Sequence, residues 1–336
     1  MISKLLIIRF SALGDVAMLV PVVQLLAQHY PKMNITVLSV PAMAPLFEGL
    51  GDNVRFIGAD IHREFRGING LSRLFTYLRE ENFDAVADCH DVLRTKYLRT
   101  LFKFVRCKVE CINKSRDGKR ALTKKDDDKV FMQQATSFEN YADTIDRLLG
   151  TSLKSYVIRT NVPDNKYFFP TGRIGVAPFA KHKGKVYPLD KMKEVVKALL
   201  EKGKQVYLFG AGEEEVSVFH EWKDYLPHSE RVFLPPYGTS LRDELQLMAT
   251  LDCMVSMDSA NQHLASIVGT RVVSVWGSTH PYAGFLGWKQ NFFDCVQLSM
   301  PCRPCSIYGN KKCRMGDFPC MNNIQPEDIL AKVLKV

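Results

Sequence analysis

The chain lacks any long hydrophobic run. Its longest apolar stretch, residues 16–23, contains Pro21 and ends at Gln24, whereas a membrane-spanning helix needs about 20 apolar residues. The first residues carry one lysine before a four-residue apolar run that ends at Arg9, which is unlike a signal peptide. We therefore expect a cytoplasmic protein.

The chain also lacks the glycines of a dinucleotide-binding turn. Its first strand is followed by Arg9-Phe-Ser-Ala-Leu-Gly-Asp15, in which Gly14 is the single glycine, although the dinucleotide fingerprint requires three. Binding of NAD or FAD is therefore disfavoured, and we expect no cofactor. Tandem repeats and low-complexity tracts are missing as well, which argues for ordinary globular domains.

The cysteines lack the arrangement of a disulfide framework. Nine of them are scattered along the chain, and thiols stay reduced in a cytoplasmic protein. A cluster near the end is the exception, because four fall within 19 residues: Cys302, Cys305, Cys313 and Cys320. These four either bind a structural zinc ion or are buried or redox-active thiols. We expect no catalytic metal, since no nearby ligand set leaves an open position.

Positive charge is abundant and concentrated. The net charge is +9, and residues 94–125 contain twelve Lys or Arg against two acids. Such a segment attracts the phosphates of nucleic acid, anionic lipid or a phosphorylated glycolipid, unless it is merely a solvated face. Nucleic acid is disfavoured, because Phe102 and Phe104 fit a helix core better than a base-stacking platform.

The length of 336 residues favours two domains, because single cores stop growing before that size. Short apolar runs alternate with helical periodicity, which indicates parallel sheets covered by helices on both faces. Predicted strands span residues 5–8, 35–38, 85–87, 174–177, 205–209, 251–257 and 272–276, and predicted helices start at residue 16 and span 189–200. Residues 161–171 contain two prolines and little periodicity, so we place the linker there. We predict an α/β protein with Rossmann-like domains at residues 1–160 and 161–336, facing each other across a cleft.

The turns after the strands are the places to look for ligands, because doubly wound sheets bind them outside the carboxyl ends of strands. Asp15 lies at such a turn and is either a catalytic carboxylate or a helix cap. After Asp258, Ser259 and Ala260 open a helix whose free N–H groups could hold a diphosphate. His263 follows one turn later, where it either contacts the ligand or packs in the core.

Two further turns carry charge. Residues 177–188 contain Lys181, Lys183 and Lys185, and a lysine at this place can neutralise a leaving phosphate. The Gly-rich stretch at residues 210–215 ends in three glutamates. Carboxylates repel phosphate but suit ribose hydroxyls, although this pattern is weak by itself.

Taken in order, these segments resemble glycosyltransferase family 9, the heptosyltransferases of lipopolysaccharide core synthesis. The resemblance covers nearly the whole chain, and the ordered combination is more specific than any one segment. The matching segments are Arg9 to Asp15 with Pro21, Lys185-Val-Tyr-Pro188, Gly210 to Glu214, Asp258-Ser-Ala-Asn-Gln-His263 and the cysteine pattern from Cys302 to Met321. Ser259-Ala260 stands where the family has Thr-Gly, and Tyr187 where it has Trp, which puts the donor in doubt more than the chemistry.

The resemblance implies a GT-B fold and an inverting transfer that needs no metal. Asp15 then corresponds to the catalytic base, Lys185 to the phosphate ligand and Glu214 to the ribose contact. The donor set is completed by Gly14, Asp258, Ser259, Ala260 and His263. The acceptor set, which belongs to the amino-terminal domain, is Ser11, Arg63, His90, Arg94 and Arg120.

The expected function is therefore transfer of heptose from ADP-heptose to a lipopolysaccharide core acceptor, either Kdo-lipid A or an inner-core sugar. The acceptor would be met at the inner face of the cytoplasmic membrane, where the basic segment contacts the surface and the protein is peripheral. Two alternatives remain open. The chain could be a nucleotide-sugar-binding protein without turnover, or a GT-B-like nucleotide-sugar epimerase.

Overall fold

A computed structural model describes residues 2–125, 128–163, 171–238 and 240–335. The chain divides into two compact units, Met1–Lys114 with Ser137–Asn161, and Ser115–Thr136 with Val162–Val336. The predicted division at residue 160 differs from this, because Ser115–Thr136 belongs to the second unit. The linker predicted at residues 161–171 starts at the second boundary, and its residues 164–170 lie outside the described part of the chain.

Polar contacts explain why Ser115–Thr136 belongs to the second unit. The buried ammonium of Lys119 lies 4.4 Å from the ring centre of Phe285, and the backbone N–H of Gln134 donates to Tyr282 O at 2.8 Å. These contacts join residues about 150 positions apart. Local periodicity carries no information about such pairs, so the sequence analysis placed this segment in the amino-terminal domain.

The strands form one parallel sheet in each unit. In the first unit they run in the order β3-β2-β1-β4-β5, and in the second in the order β11-β10-β9-β6-β7-β8. The first sheet contains β1 (Lys4–Ile8), β2 (Asn34–Ser39), β3 (Val54–Gly58), β4 (Ala85–Asp88) and β5 (Lys108–Cys111). The second contains β6 (Arg173–Ala177), β7 (Gln205–Leu208), β8 (Val232–Phe233), β9 (Cys253–Met257), β10 (Val272–Val275) and β11 (Cys295–Val296).

The helices cover the faces of these sheets. In chain order they are α1 (Leu13–Ala17), α2 (Val20–His29), α3 (Gly67–Glu80), α4 (Leu93–Phe104), α5 (Arg116–Leu122), α6 (Ser137–Leu149), α7 (Leu153–Thr160), α8 (Leu189–Glu201), α9 (Glu213–Tyr225), α10 (Leu241–Met248), α11 (Ala260–Ile267), α12 (Pro319–Asn322) and α13 (Pro326–Leu334). Helix α5 belongs to the second unit together with α8 to α13. None of the helices in the described residues is long and apolar enough to span a membrane.

Burial explains which strands were predictable. Strand β1 pairs with β2 on one side and β4 on the other, and its residues 5–8 are fully buried, so its sequence is a continuous apolar run. Each unit has a hydrophobic core of its own, such as Leu6, Ile8 and Leu74 in the first. Burying one such aliphatic side chain contributes roughly 1.5–3 kcal/mol. The apolar faces of helix and strand therefore fix the turns that carry the charged residues.

The helix predicted from residue 16 is divided in two. Helix α1 ends at Ala17 and α2 begins at Val20, with Pro21 in its first turn. Proline is tolerated at the start of a helix, where the missing N–H has no partner within the helix. The first helix is thus a short turn that follows directly after the segment containing Ser11.

Candidate active site

Asp15 lies in the first turn of α1, just after β1. Its Oδ2 atom is 2.7 Å from Nη2 of Arg9 and accepts a hydrogen bond from the Ala12 N–H at 3.3 Å. The Asp15 side chain is 34% exposed, whereas that of Arg9 is 8% exposed. Asp15 therefore contributes to the helix cap and still presents its carboxylate to solvent.

Arg9 positions Asp15 and was missed as a site residue by the sequence analysis. Its Nη1 donates to the Cys89 carbonyl at 2.6 Å, and its guanidinium lies 5.5 Å from the ring centre of Tyr141. The Tyr141 hydroxyl donates to the Asp15 carbonyl at 3.1 Å. Three segments distant in sequence thus hold the turn, because a buried arginine must find acceptors for its donors. The available sequence signal was an arginine directly after a buried strand.

His90 follows β4 and contacts the same turn. Its Nδ1 accepts from the Phe10 N–H, and Nε2 lies beside Ser11 Oγ, both at 3.4 Å. Burial, together with the nearby Arg9 and Lys114 charges, lowers the pKa of His90 to about 4. The imidazole is therefore neutral at neutral pH. The structure brings Ser11, Asp15 and His90 together at the carboxyl ends of neighbouring strands.

Among the other predicted acceptor residues, Arg63 and Arg94 lie in the first unit and Arg120 in the second. Arg94 is exposed in the first turn of α4, and Arg63 is exposed in the loop after β3. Arg120 lies in α5, 3.5 Å from Asp117, and this helix belongs to the second unit. Its predicted placement in the amino-terminal domain was therefore wrong, for the reason that applies to the whole segment Ser115–Thr136.

The basic segment is divided between the two units. Its residues up to Lys114 belong to the first unit and the remainder to the second. Arg99 lies 3.1 Å from the buried Asp88 carboxylate and 3.2 Å from that of Asp91, so it neutralises acids within the fold. Lys119 is buried as well. Part of the positive charge is thus structural, and the exposed remainder is divided between the units.

In the second unit, Lys185 pairs with Asp258. Lys185 Nζ lies 3.0 Å from Asp258 Oδ2, with side-chain exposures of 17% and 5%. Asp258 Oδ1 accepts from the Gln262 side chain at 3.1 Å. The two residues follow β6 and β9, which are neighbouring strands. Lys181 and Lys183 are exposed, so the geometry distinguishes Lys185 among the three lysines of this turn.

The Lys185 turn is held by loops that the sequence analysis did not single out. The Gly184 carbonyl accepts from both the backbone N–H and the hydroxyl of Ser278, at 2.9 and 2.8 Å. The buried Arg303 donates to carbonyl groups of the loop at residues 276–279. Gly309 lies against the lysine, because a Cβ atom there would fall 2.3 Å from Lys185 Cγ. These contacts fix the lysine's backbone and the path of its side chain.

The predicted diphosphate cradle forms the start of α11. Ser259 is the residue before the helix and Ala260 its first residue, whereas His263 is buried one turn further. The first-turn N–H groups of a helix have no partners within it and favour anions. The cradle lies directly beside Asp258, and therefore beside the Lys185 ammonium.

Two members of the predicted donor set lie elsewhere. Glu214 is exposed in the first turn of α9, which follows β7, the strand next to β6. Its neighbour Glu215 accepts from the Ala211 N–H at 2.8 Å. Gly14 is buried within α1 of the first unit.

Tyr187 stands where the family has Trp. It is fully buried and donates its hydroxyl to the Ile324 carbonyl at 3.1 Å, so this difference concerns packing.

The four terminal cysteines are free thiols. Burial raises the pKa of Cys320 to about 11, with the nearby Arg303 lowering it and Cys305, Cys302 and Cys313 contributing to the rise. Across the described residues, no group of three or more His, Cys, Asp or Glu is arranged to hold a metal ion. Cys320 is buried, whereas Cys302, Cys305 and Cys313 are partly exposed.

Solved structures of similar fold place this architecture in a class. An ADP-heptose lipopolysaccharide heptosyltransferase II from E. coli is similar over 99% of both chains, with 19% identity and a TM-score of 0.67. A family 9 glycosyltransferase from Veillonella parvula is similar over 99% of this chain and 98% of the other, with 15% identity and a TM-score of 0.73. Two Rossmann-like domains in one chain define the GT-B class, and this prediction is confirmed.

The sequence assigns the family within that class. The model of glycosyltransferase family 9 (heptosyltransferase) matches residues 71–315. The chain belongs to this family and is a glycosyltransferase. Lipooligosaccharide heptosyltransferase 2 from Campylobacter jejuni is 23% identical over 133 residues, which are 39% of this chain and 41% of that protein. The match thus spans about two fifths of the length of the curated relative.

Proposed function

We propose that this protein transfers heptose from ADP-heptose to a lipopolysaccharide core acceptor, either Kdo-lipid A or an inner-core sugar. Family membership supports transfer of a sugar, and the names of its relatives support heptose. A similar E. coli heptosyltransferase was solved with ADP-2-deoxy-2-fluoro heptose, with a TM-score of 0.63, which supports ADP as the nucleotide. In this proposal the enzyme works at the cytoplasmic face of the membrane that contains its acceptor.

The observation that carries the proposal is that Asp15 is held in place through one carboxylate oxygen only. Both of its side-chain contacts in the described residues use Oδ2, which leaves Oδ1 available to accept a proton. The buried Arg9, 2.7 Å from Oδ2, fixes the orientation of the carboxylate. A sugar hydroxyl becomes a good nucleophile when a carboxylate within about 3 Å takes its proton in the transition state.

The remaining residues act on the leaving group. Lys185 and the N–H groups at the start of α11 would stabilise the charge that develops on the diphosphate as the bond to the anomeric carbon breaks. Attack from the opposite side of that carbon inverts its configuration, and no metal is needed in this scheme. Glu214 would bind the ribose, while Arg63, Arg94 and Arg120 would bind phosphates of the acceptor.

The test combines binding with turnover. The purified protein would be heated with ADP-heptose, other nucleotide sugars or ADP, because a ligand that binds the folded state raises Tm by mass action. The acceptor would then be examined by mass spectrometry for the gain of one heptose, with release of ADP measured in parallel. We expect ADP-heptose to raise Tm and the acceptor to gain one heptose. Stabilisation by ADP-heptose without any transfer would instead identify a binding protein.

A further inference from the structure

The most exposed large aliphatic side chains of the first unit are Ile68 and Leu93, each near the start of a helix. Ile68 is 67% exposed in the first turn of α3, and Leu93 is 86% exposed in the first turn of α4. Further along these helices the leucines point into the core, for example Leu74 and Leu98, which are fully buried. The exposed pair therefore is not part of the apolar face that packs each helix on the sheet.

The contact between the two helices indicates that Ile68 and Leu93 lie on the same end of the helix pair. The Ser72 hydroxyl of α3 and the Tyr97 hydroxyl of α4 are 2.8 Å apart, which makes these residues neighbours across the helix pair. Ile68 and Leu93 each precede them by four residues, which is about one helical turn. Ile68 and Leu93 consequently occupy matching positions, one turn nearer the start of each helix.

This pair lies at the same edge of the sheet as the candidate base. Helices α3 and α4 begin after the carboxyl ends of β3 and β4, and Asp15 follows the carboxyl end of β1 in the same parallel sheet. Leu93 is three residues beyond His90, whose ring contacts Ser11. The aliphatic pair is thus on the side of the unit where an acceptor would meet Asp15.

Arginines surround the pair. Arg63 and Arg66 precede Ile68, Arg94 follows Leu93, and all three are exposed. No ion pair to any of these three arginines is found among the described residues, whereas the lysine of this edge, Lys96, has a 3.9 Å contact to Asp91. The exposed Glu64 lies between Arg63 and Arg66, so the arginines outnumber the acids in this segment. Exposed aliphatic side chains combined with an excess of cations are typical of surfaces that bind anionic lipid bilayers.

We propose that this protein docks on an anionic lipid bilayer through a surface that we call the edge patch. The edge patch consists of Ile68, Leu93, Arg63, Arg66 and Arg94. Ile68 and Leu93 enter the boundary between headgroups and acyl chains. The arginines bind lipid phosphates, which include those of a lipid-linked acceptor in the same bilayer. The purpose of docking rests on the proposed function, because docking by this edge brings a lipid-linked acceptor to the side of the unit that contains Asp15. The docking itself requires neither donor nor acceptor.

Helix α4 offers a matched control. Phe104 is 79% exposed at its opposite end, eleven residues from Leu93, which corresponds to about 16 Å along a helix. A general preference for exposed apolar side chains would make Phe104 as important as Leu93. Docking by the edge patch requires the first turn and not the last.

The experiment is co-sedimentation of the full chain with vesicles, without donor or acceptor. The vesicles contain either phosphatidylcholine alone or phosphatidylcholine with phosphatidylglycerol. We expect wild type to favour the anionic vesicles and Ile68→Ser/Leu93→Ser to bind them at least about tenfold more weakly. Phe104→Ser should bind the vesicles within about twofold of wild type, because Phe104 lies outside the edge patch. Ile68, Leu93 and Phe104 are all exposed, so none of these substitutions should change Tm much. Arg63→Gln/Arg66→Gln/Arg94→Gln should abolish the preference for anionic vesicles.

Three results would overturn the edge patch: no binding to either vesicle, equal binding by Ile68→Ser/Leu93→Ser and wild type, or an equal loss in Phe104→Ser. Failure of the proposed function can be distinguished from failure of the docking proposal. Vesicle binding without heptose transfer contradicts the function alone, whereas transfer to a delipidated acceptor without vesicle binding contradicts the edge patch alone.

Discussion

Asp15 and Lys185 each lie beside an opposite charge that is more deeply buried. Arg9 is the buried partner of Asp15, and Asp258 is the buried partner of Lys185. Removing one member of a buried pair leaves an uncompensated charge, which is far more costly than the pair itself is stabilising. Substitutions at these positions therefore change stability as well as chemistry, and both must be measured.

Replacement of Lys185 tests the leaving-group contact. We expect Lys185→Ala to weaken donor binding modestly and to lower kcat about 100-fold or more, because the charge on the diphosphate builds up as the bond breaks. Steady-state kinetics with ADP-heptose, together with calorimetry for donor affinity, separates the two effects. A fall in Tm is also expected, since Asp258 loses its cation.

Lys183→Ala is the matched control, because Lys183 lies in the same turn but is exposed. It should keep kcat within about threefold of wild type, as do most surface substitutions away from special contacts. If Lys183→Ala lost as much activity as Lys185→Ala, or if Lys185→Ala were fully active, the assignment of the phosphate ligand would be wrong.

The loop that contains Gly309 helps to position Lys185, as does the strand that precedes the lysine. Gly309 has a φ of +78°, and its missing Cβ leaves room for the Lys185 side chain. Gly316 has a φ of +96°, but a Cβ there would meet nothing within 4 Å. The two glycines therefore share the backbone strain that an alanine would introduce, and they differ in the contact with the lysine.

We expect Gly309→Ala to lower kcat at least about tenfold more than Gly316→Ala, since it displaces the ammonium that stabilises the leaving group. Both variants should lose stability to a similar extent, by about 1 kcal/mol or more, because alanine is strained at positive φ. Kinetics and urea denaturation of the two variants test this. Equal activities would show that the path of the Lys185 side chain does not depend on Gly309.

Strands with a continuous apolar run could be predicted from the sequence, and strands without such a run could not. The apolar runs of β1, β2, β4, β6, β7, β9 and β10 were predicted within about two residues. Strands β3 and β5 are only partly buried and show no continuous run. Asp15, Lys185 and Asp258 could be found because they follow predicted strands. Contacts such as Tyr141 to Asp15 join residues that are far apart in sequence, and one sequence contains no signal for them.

Considered as a whole, the chain crosses between its two units more than once. Ser115–Thr136 leaves the first unit, packs with the second and returns to α6 of the first. Lys129 illustrates its attachment, because its ammonium donates to the Pro301 and Arg303 carbonyls at 2.9 Å each. The second unit therefore depends on residues from the amino-terminal half, and the two halves of the sequence do not correspond to the two units.

The predicted chemistry is also divided between the units. The first unit contains the candidate base Asp15, and the second contains the Lys185 and Asp258 pair. If the second unit binds the donor, then loss of the base should affect transfer but not donor binding. Asp15→Asn keeps the shape of the side chain and removes the base, although Arg9 then loses its anion and some stability should be lost. Asp91→Asn is the control, because this acid also pairs with an arginine at the same edge.

The decisive measurement is heptose transfer by folded Asp15→Asn, with donor affinity measured by calorimetry on the same preparation. We predict a donor affinity within about threefold of wild type, a difference of ~0.7 kcal/mol. Transfer should fall at least ~100-fold, the lower end of what general base catalysis contributes, while Asp91→Asn stays within about threefold of wild type. A folded, donor-binding Asp15→Asn protein with near-normal transfer would contradict the account and leave Asp15 as a helix cap.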